Sequence, residues 1–238
     1  MKTFVRKAAP LAFVLVAACG HASATPYQVA FAQGERAETA GRFAEAAKGY
    51  DAASKIAPND RERAHAEFAS AEMSIRAGDR ATGAAKLRAI ASANPPGEHT
   101  AEAAYRIASL EISENDAQGW IELEHAMAKF PNEGVAHRSL QRLSAHVEET
   151  NGKAAAISWL ETIAPSFTGT ELEQAVAYET AKRVEANGDA EGARTRYLAI
   201  AEKWPYPHGA FWDDSLYEAA VIDEKAGRYD DAIAHLNR

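Results

Sequence analysis

The chain has 238 residues, 47% of them hydrophobic and 25% charged, with 9 prolines, a globular composition long enough for one large or two small domains. A net charge of −8 argues against nucleic acid as a partner, because a phosphate footprint needs clustered Lys and Arg. The single cysteine excludes an internal disulfide and any cysteine-based metal cluster.

At the N-terminus, Lys2, Arg6 and Lys7 form a basic start, followed by the uncharged apolar run AAPLAFVLVAA over 8–18. That run is well short of the roughly 20 residues that span a bilayer as a helix, so it reads as a targeting segment. Two processing readings stand. VAAC (16–19) resembles the bacterial lipobox, which would make 1–18 a lipoprotein-type signal peptide, Cys19 the lipidated first residue and 19–26 a tether. ASA (22–24) fits an A-x-A site instead, cutting before Thr25 and leaving a soluble periplasmic protein without cysteine. The first is preferred because the only cysteine falls where the apolar core ends. Losing Lys2, Arg6 and Lys7 takes the charge from −8 to −11.

From residue 27 onward the chain repeats. GRFAEAAKGY (41–50) is echoed by GDAEGARTRY (188–197) and GRYDDAIAHL (227–236), and the helix end SKIAPN is echoed by AMAKFPN and AIAEKWP. Aligning these echoes gives six units, over 27–60, 64–97, 101–133, 137–167, 174–207 and 213–238, the last incomplete. Each unit holds two amphipathic helical patterns. The first has a small residue at its centre: Gly34, Ala71, Ala108, Ser144, Ala181, Ala220. The second has another near its start: Ala46, Gly83, Gly119, Ala156, Ala193, Ala232. One turn later stands a larger apolar residue: Tyr50, Leu87, Leu123, Leu160, Tyr197, Leu236. Small residues permit a close helix crossing, and Tyr50 is expected to fill the groove against the following unit. Each unit is too thin to bury its own stripe, so stacking stabilises it.

With Gly-Arg-Phe, Gly-Asp-Ala and Gly-Arg-Tyr as inter-helix turns, this pattern resembles the tetratricopeptide repeat over nearly all of 27–238. The resemblance implies an all-α, right-handed superhelical solenoid whose first helices line a concave groove for partner peptides. The third and fourth units depart from it, with NDAQGW and NGKAAA as turns, and Pro165 should shorten or kink the fourth unit's second helix.

Motifs for catalysis, phosphate cradling or dinucleotide binding are absent, so no enzyme, cofactor or catalytic residue is expected. Two Glu-x-x-His steps, Glu62/His65 and Glu122/His125, are expected not to converge, and no metal site is assigned. Five units place an aromatic about one turn into the first helix: Phe31, Phe68, Tyr105, Tyr178 and Tyr217, with Gln141 in the fourth. Glu35, Glu72 and Glu102 lie near them at helical spacing. These side chains either pack between consecutive first helices or also touch a ligand. Lys182 looks nearly isolated on this face, which disfavours a carboxylate clamp and favours a basic or aromatic-bearing peptide. The loop WPYPHGAFWDD holds Trp204, Tyr206, Phe211 and Trp212. Its tryptophans either plug the joint between the fifth and sixth units or form an exposed lip.

The function expected is a non-catalytic interaction scaffold at the periplasmic face of a bacterial outer membrane, touching the membrane by its lipid anchor alone. The architecture resembles that of lipoproteins of β-barrel assembly, secretin pilotins and Tol–Pal coordinators, with no residue choosing among them. The rival class is a module that binds cell-wall glycan or assists an envelope enzyme. At the far end, Ala232, Ile233 and Leu236 form a short apolar stripe, so the natural chain is expected to continue, or this end to dock on a partner or a second copy.

Overall fold

The turn between the two helices of each pair passes through a left-handed residue: Gly41, Gly78, Asn115, Gly152, Gly188 and Gly227, with φ of 72°, 89°, 59°, 90°, 95° and 76°. Glycine reaches that region without a Cβ clash, and asparagine is the side chain that tolerates it next best. In five of the six turns the following N–H closes back on a carbonyl of the helix. Arg42 donates to Ala37 (2.8 Å), Asp79 to Ser74 (2.9 Å), Asp116 to Glu111 (3.0 Å), Asp189 to Val184 (3.2 Å) and Arg228 to Asp223 (2.8 Å). Each satisfies an orphan carbonyl of the helix end in the same way. The third unit therefore keeps the common turn despite its unusual sequence.

The computed structural model describes residues 24–238; the lipobox, Cys19 and the signal segment lie outside the described residues. Twelve α-helices make six pairs: α1 (Pro26–Thr39) with α2 (Phe43–Lys55), α3 (Asp60–Arg76) with α4 (Arg80–Ala91), and α5 (Thr100–Ser113) with α6 (Gln118–Lys129). Then come α7 (Gly134–Asn151) with α8 (Lys153–Ile163), α9 (Leu172–Ala186) with α10 (Ala190–Lys203), and α11 (Trp212–Lys225) with α12 (Tyr229–Leu236). The described chain is an all-α solenoid. α3 begins at Asp60 rather than near 64 because the Asn59 side chain caps it, accepting from the Glu62 N–H at 2.9 Å. The fourth unit is the irregular one. A single residue, Gly152, joins α7 to α8, and the chain passes from α8 into a 3₁₀ turn over Ala164–Phe167 at Pro165.

All twelve small positions are buried. At Gly83 an added Cβ would sit 2.9 Å from the Ala71 carbonyl oxygen, and at Gly119 2.6 Å from the Ile112 nitrogen. Those crossings are backbone on backbone, and only glycine fits them. The larger apolar residues are buried in the first five units, whereas Leu236 is exposed. Tyr50 corrects the expectation in part: its ring lies over Gly34 within its own unit and also meets Met73 of the next.

α12 is short, but a buried carboxylate holds it. Asp223 of α11 accepts from Arg194 Nε (2.6 Å) and from Arg228 Nε (2.5 Å), and faces His235 of α12 at 3.2 Å. The two guanidinium groups keep its carboxyl below the ordinary range, against the opposing effect of burial, which is the largest single influence.

Candidate functional site

The first helices of successive units carry the aromatic row, and its first rings stack with two histidines. Phe31 of α1 stacks on His65 of α3 (centroids 5.1 Å), His65 leans on His99 (5.4 Å), and His99 stacks on Phe68 (4.9 Å). His65 Nδ1 and His99 Nε2 stand 3.4 Å apart. Burial, then the neighbouring His65, push His99 below the usual imidazole value, against the pull of Glu98 and Glu102. In the middle of the row the Arg138 guanidinium covers the Tyr105 ring at 4.5 Å.

The acids of this face are not equivalent. Glu35 is exposed on α1. Glu72 is paired with Arg106 (3.5 Å), Arg106 reaches Glu102 (3.3 Å), and Glu102 also binds Arg138. This ladder crosses α3, α5 and α7. Burial raises the Glu72 carboxyl, with Arg106 opposing it. The expectation that Lys182 is nearly the only cation here needs correction, because Arg106 and Arg138 also stand on this face. Their charges are already matched by Glu72 and Glu102, so a carboxylate ligand would have to displace one of those side chains.

The fourth unit, which has Gln141 in place of a ring, is filled differently. Trp120 of α6 stacks flat on His146 of α7 (3.7 Å, 5°), with Arg142 at 5.6 Å from the indole and hydrogen-bonded to Ser109 (2.7 Å). Next to it, buried Glu179 accepts from Arg183 Nε at 2.9 Å, and Arg183 also binds Glu148 of α7. Lys182 leans toward Glu179 at 3.7 Å.

Between α9 and α11 the balance changes. Tyr178 stacks on Phe211 (4.7 Å) and meets Tyr197 (5.7 Å). Burial, then Asp214 and Glu218, push its hydroxyl up to about 12. Tyr217 of α11 is exposed. Burial and the like charge of Glu185 raise Glu218, with Lys225 and Lys182 only partly offsetting them. Among the described residues, Glu185, Asp214 and Glu218 have no cation within ion-pair distance. Lys182 stands 5.9 Å over the Tyr178 ring, and an arginine or lysine entering here would meet carboxylates that have no ion-pair partner beside that ring, a setting that favours a cation.

The aromatic loop divides its labour. Phe211 plugs the joint between the fifth and sixth units, stacked on Tyr178 and edge-on to His137 (5.7 Å). Trp204 packs half-buried beside Ile200 and Tyr197 with Lys203 over it (4.4 Å). Trp212 instead meets Tyr206 at 6.0 Å, and Tyr206 is 76% exposed. Of the two readings for this loop, Trp204 and Phe211 pack as a plug would, while Trp212 lies beside the exposed Tyr206. No composition signal distinguishes Phe211 from Trp212; the position of α11's start decides it.

The two Glu-x-x-His steps lie on α3 and α6. His65 belongs to the ring stack, and Glu122 accepts from Gln118 at 3.0 Å. Among the described residues no three His, Cys, Asp or Glu side chains gather as a metal would need. On the opposite side, furrows recur between successive second helices. One of about 420 Å³ lies between α8 and α10 over Val176 and Ala177, with Pro165 and Trp204 in its walls.

No protein-family model matches the chain, and no curated protein matches it. Among solved structures, that of a kinesin light chain-type protein of Podosopora anserina with nearly identical TPR-like repeats is similar to it. The match is 13% identical and covers 88% of this chain and 91% of that one, at a TM-score of 0.36. That likeness is loose, and the fold stands on the chain's own helix pairs.

Proposed function

We propose that this protein is a non-catalytic interaction scaffold that takes a segment of a protein partner on its first-helix face, between α9 and α11. The observation that supports this is that Glu185, Asp214 and Glu218, which all act on Tyr178, have no ion-pair partner among the described residues, whereas Glu72 and Glu102 on the same face are paired with arginines. The partner segment carries a basic side chain next to an aromatic one. The Glu72–Arg106–Glu102–Arg138 ladder contributes rigidity rather than contacts.

The scaffold works in a bacterial envelope, anchored through Cys19 at the periplasmic face of the outer membrane; the basic start, the short apolar run and VAAC support that placement. Labelled palmitate should enter the wild type and not Cys19→Ala, and a mature N-terminus at Thr25 would end the lipid reading in favour of a soluble periplasmic form.

A photocrosslinking residue at position 217, in cells of the protein's origin, tests the function. Protein adducts that disappear when Glu185 and Glu218 are both changed to Gln support the scaffold. Adducts that are glycan instead would move the protein to the cell-wall-binding class.

A further inference from the structure

Along the solenoid the second helix of each pair receives the first helix of the next. In α12 and α1, the last and first helices of the described residues, side chains on the corresponding faces are exposed. On α12, Tyr229, Ile233 and Leu236 are 63%, 57% and 61% exposed and form one stripe at i, i+4 and i+7. On α1, Val29 is 48% exposed, and Gln33 and Arg36 beside it are exposed too.

These two faces match a closed junction inside the molecule. Where α9 docks, Val176 packs in one cluster with Leu160 of α8, and Arg183 binds Glu148 of α7. Glu148 and Leu160 stand 12 residues apart, and Val176 and Arg183 stand 7 apart with Thr180 between them. The same residue types recur at the same spacings at the ends: Glu224 and Leu236 are 12 apart, and Val29 and Arg36 are 7 apart with Gln33 between them. Glu224 and Arg36 are both exposed, and neither has an ionic partner among the described residues. α12 is fixed to its own unit by Ala232 and the Asp223 cluster, so its outer stripe is a formed surface rather than a frayed end.

We infer that two copies of this chain associate head to tail, α1 of one docking on α12 of the other, with Arg36 on Glu224 and Val29 on Leu236. The occupant is a second copy because charge and register agree with the α8/α9 junction at both points. A heterologous contact of this kind makes rings if the rotation closes and open chains if it does not.

Sedimentation velocity of the purified full chain over a concentration series tests this, with the surface variants R36E and E224R. The wild type should gain mass with concentration, and either variant alone should associate about tenfold more weakly, because like charges then face each other. An equimolar mixture of the two variants should recover association, since the reversed charge at position 36 of one copy then meets the reversed, opposite charge at position 224 of the other. A wild type that stays monomeric at every concentration overturns the inference. So does association that survives both single charge reversals, which would assign the apolar stripe to a back-to-back contact of α12.

Discussion

The Tyr50 hydroxyl donates to Glu38 Oε2 at 2.8 Å, and the Tyr197 hydroxyl donates to Glu185 Oε2 at 3.2 Å, each pair twelve residues apart across a helix turn. The first and fifth units thus hold the same side-chain bond between their two helices. Burial is the main reason both hydroxyls are raised above the ordinary phenol value, with the neighbouring carboxylates adding to it.

Tyr50→Phe and Tyr197→Phe should each remove one hydrogen bond to a charged acceptor while keeping the ring. The expected cost is about 1–2 kcal/mol, toward the low end because the carboxylates are partly solvated. Glu38 remains paired with Arg76 at 3.0 Å, so the first change should be the milder of the two. Urea unfolding of the two variants measures this, and equal stability of all three proteins would show that the bonds are incidental.

Ala181→Leu and Ala220→Leu should overpack the crossing of two helices in one unit, at about 1–3 kcal/mol each. Both positions are buried, Ala181 completely. Melting temperatures unchanged by either substitution would mean that these crossings have room that their burial does not suggest.

The ring stack over α1, α3 and α5 makes stability depend on pH. His99 has its folded pKa lowered, first by burial and next by His65, so the native state binds a proton less readily than the unfolded one. Its contribution is therefore fully present above the unfolded imidazole value, near 6.5, and is lost as pH falls from there through the folded value. Unfolding free energy should fall as pH drops below about 6.5. His99→Phe, which keeps a ring on Phe68, should flatten that part of the profile; an unchanged slope would assign it to other groups.

The backbone plan was legible because it depends on residue size at fixed spacing. Twelve small positions and a glycine after five of the six first helices specify the crossings and turns almost independently of the rest. Asn115 broke that pattern in type but not in physics, since asparagine also tolerates a left-handed backbone. The electrostatics of the face were not legible. Arg138 meets Glu102 across 36 residues, and nothing local in either segment says which acids will be matched by an arginine from the next unit. The plug at Phe211 was hidden for a related reason: loop 204–211 approaches α9 through space, and three neighbouring aromatics offered the same signal.

Glu218 connects the candidate site to stability. Burial and Glu185 raise its folded pKa, so the native state prefers the protonated carboxyl and holds the ionised one at a cost. The sign is opposite to that of His99: this group's penalty is absent below its unfolded value, and appears as pH rises through the unfolded value toward the folded one. Glu218→Gln should therefore raise the melting temperature at neutral pH by removing a like charge beside Glu185 and Asp214. The same change should weaken capture of a synthetic Arg-Trp-containing peptide, because the carboxylate that a cation would neutralise is gone. Fluorescence anisotropy with that peptide, and with the same peptide carrying citrulline for arginine, separates charge from stacking. A variant that is more stable and binds about tenfold more weakly, with the citrulline peptide weak on both proteins, fits a site that trades stability for recognition. A variant that is more stable and binds both peptides as the wild type does would return Glu185, Asp214 and Glu218 to the solvated surface.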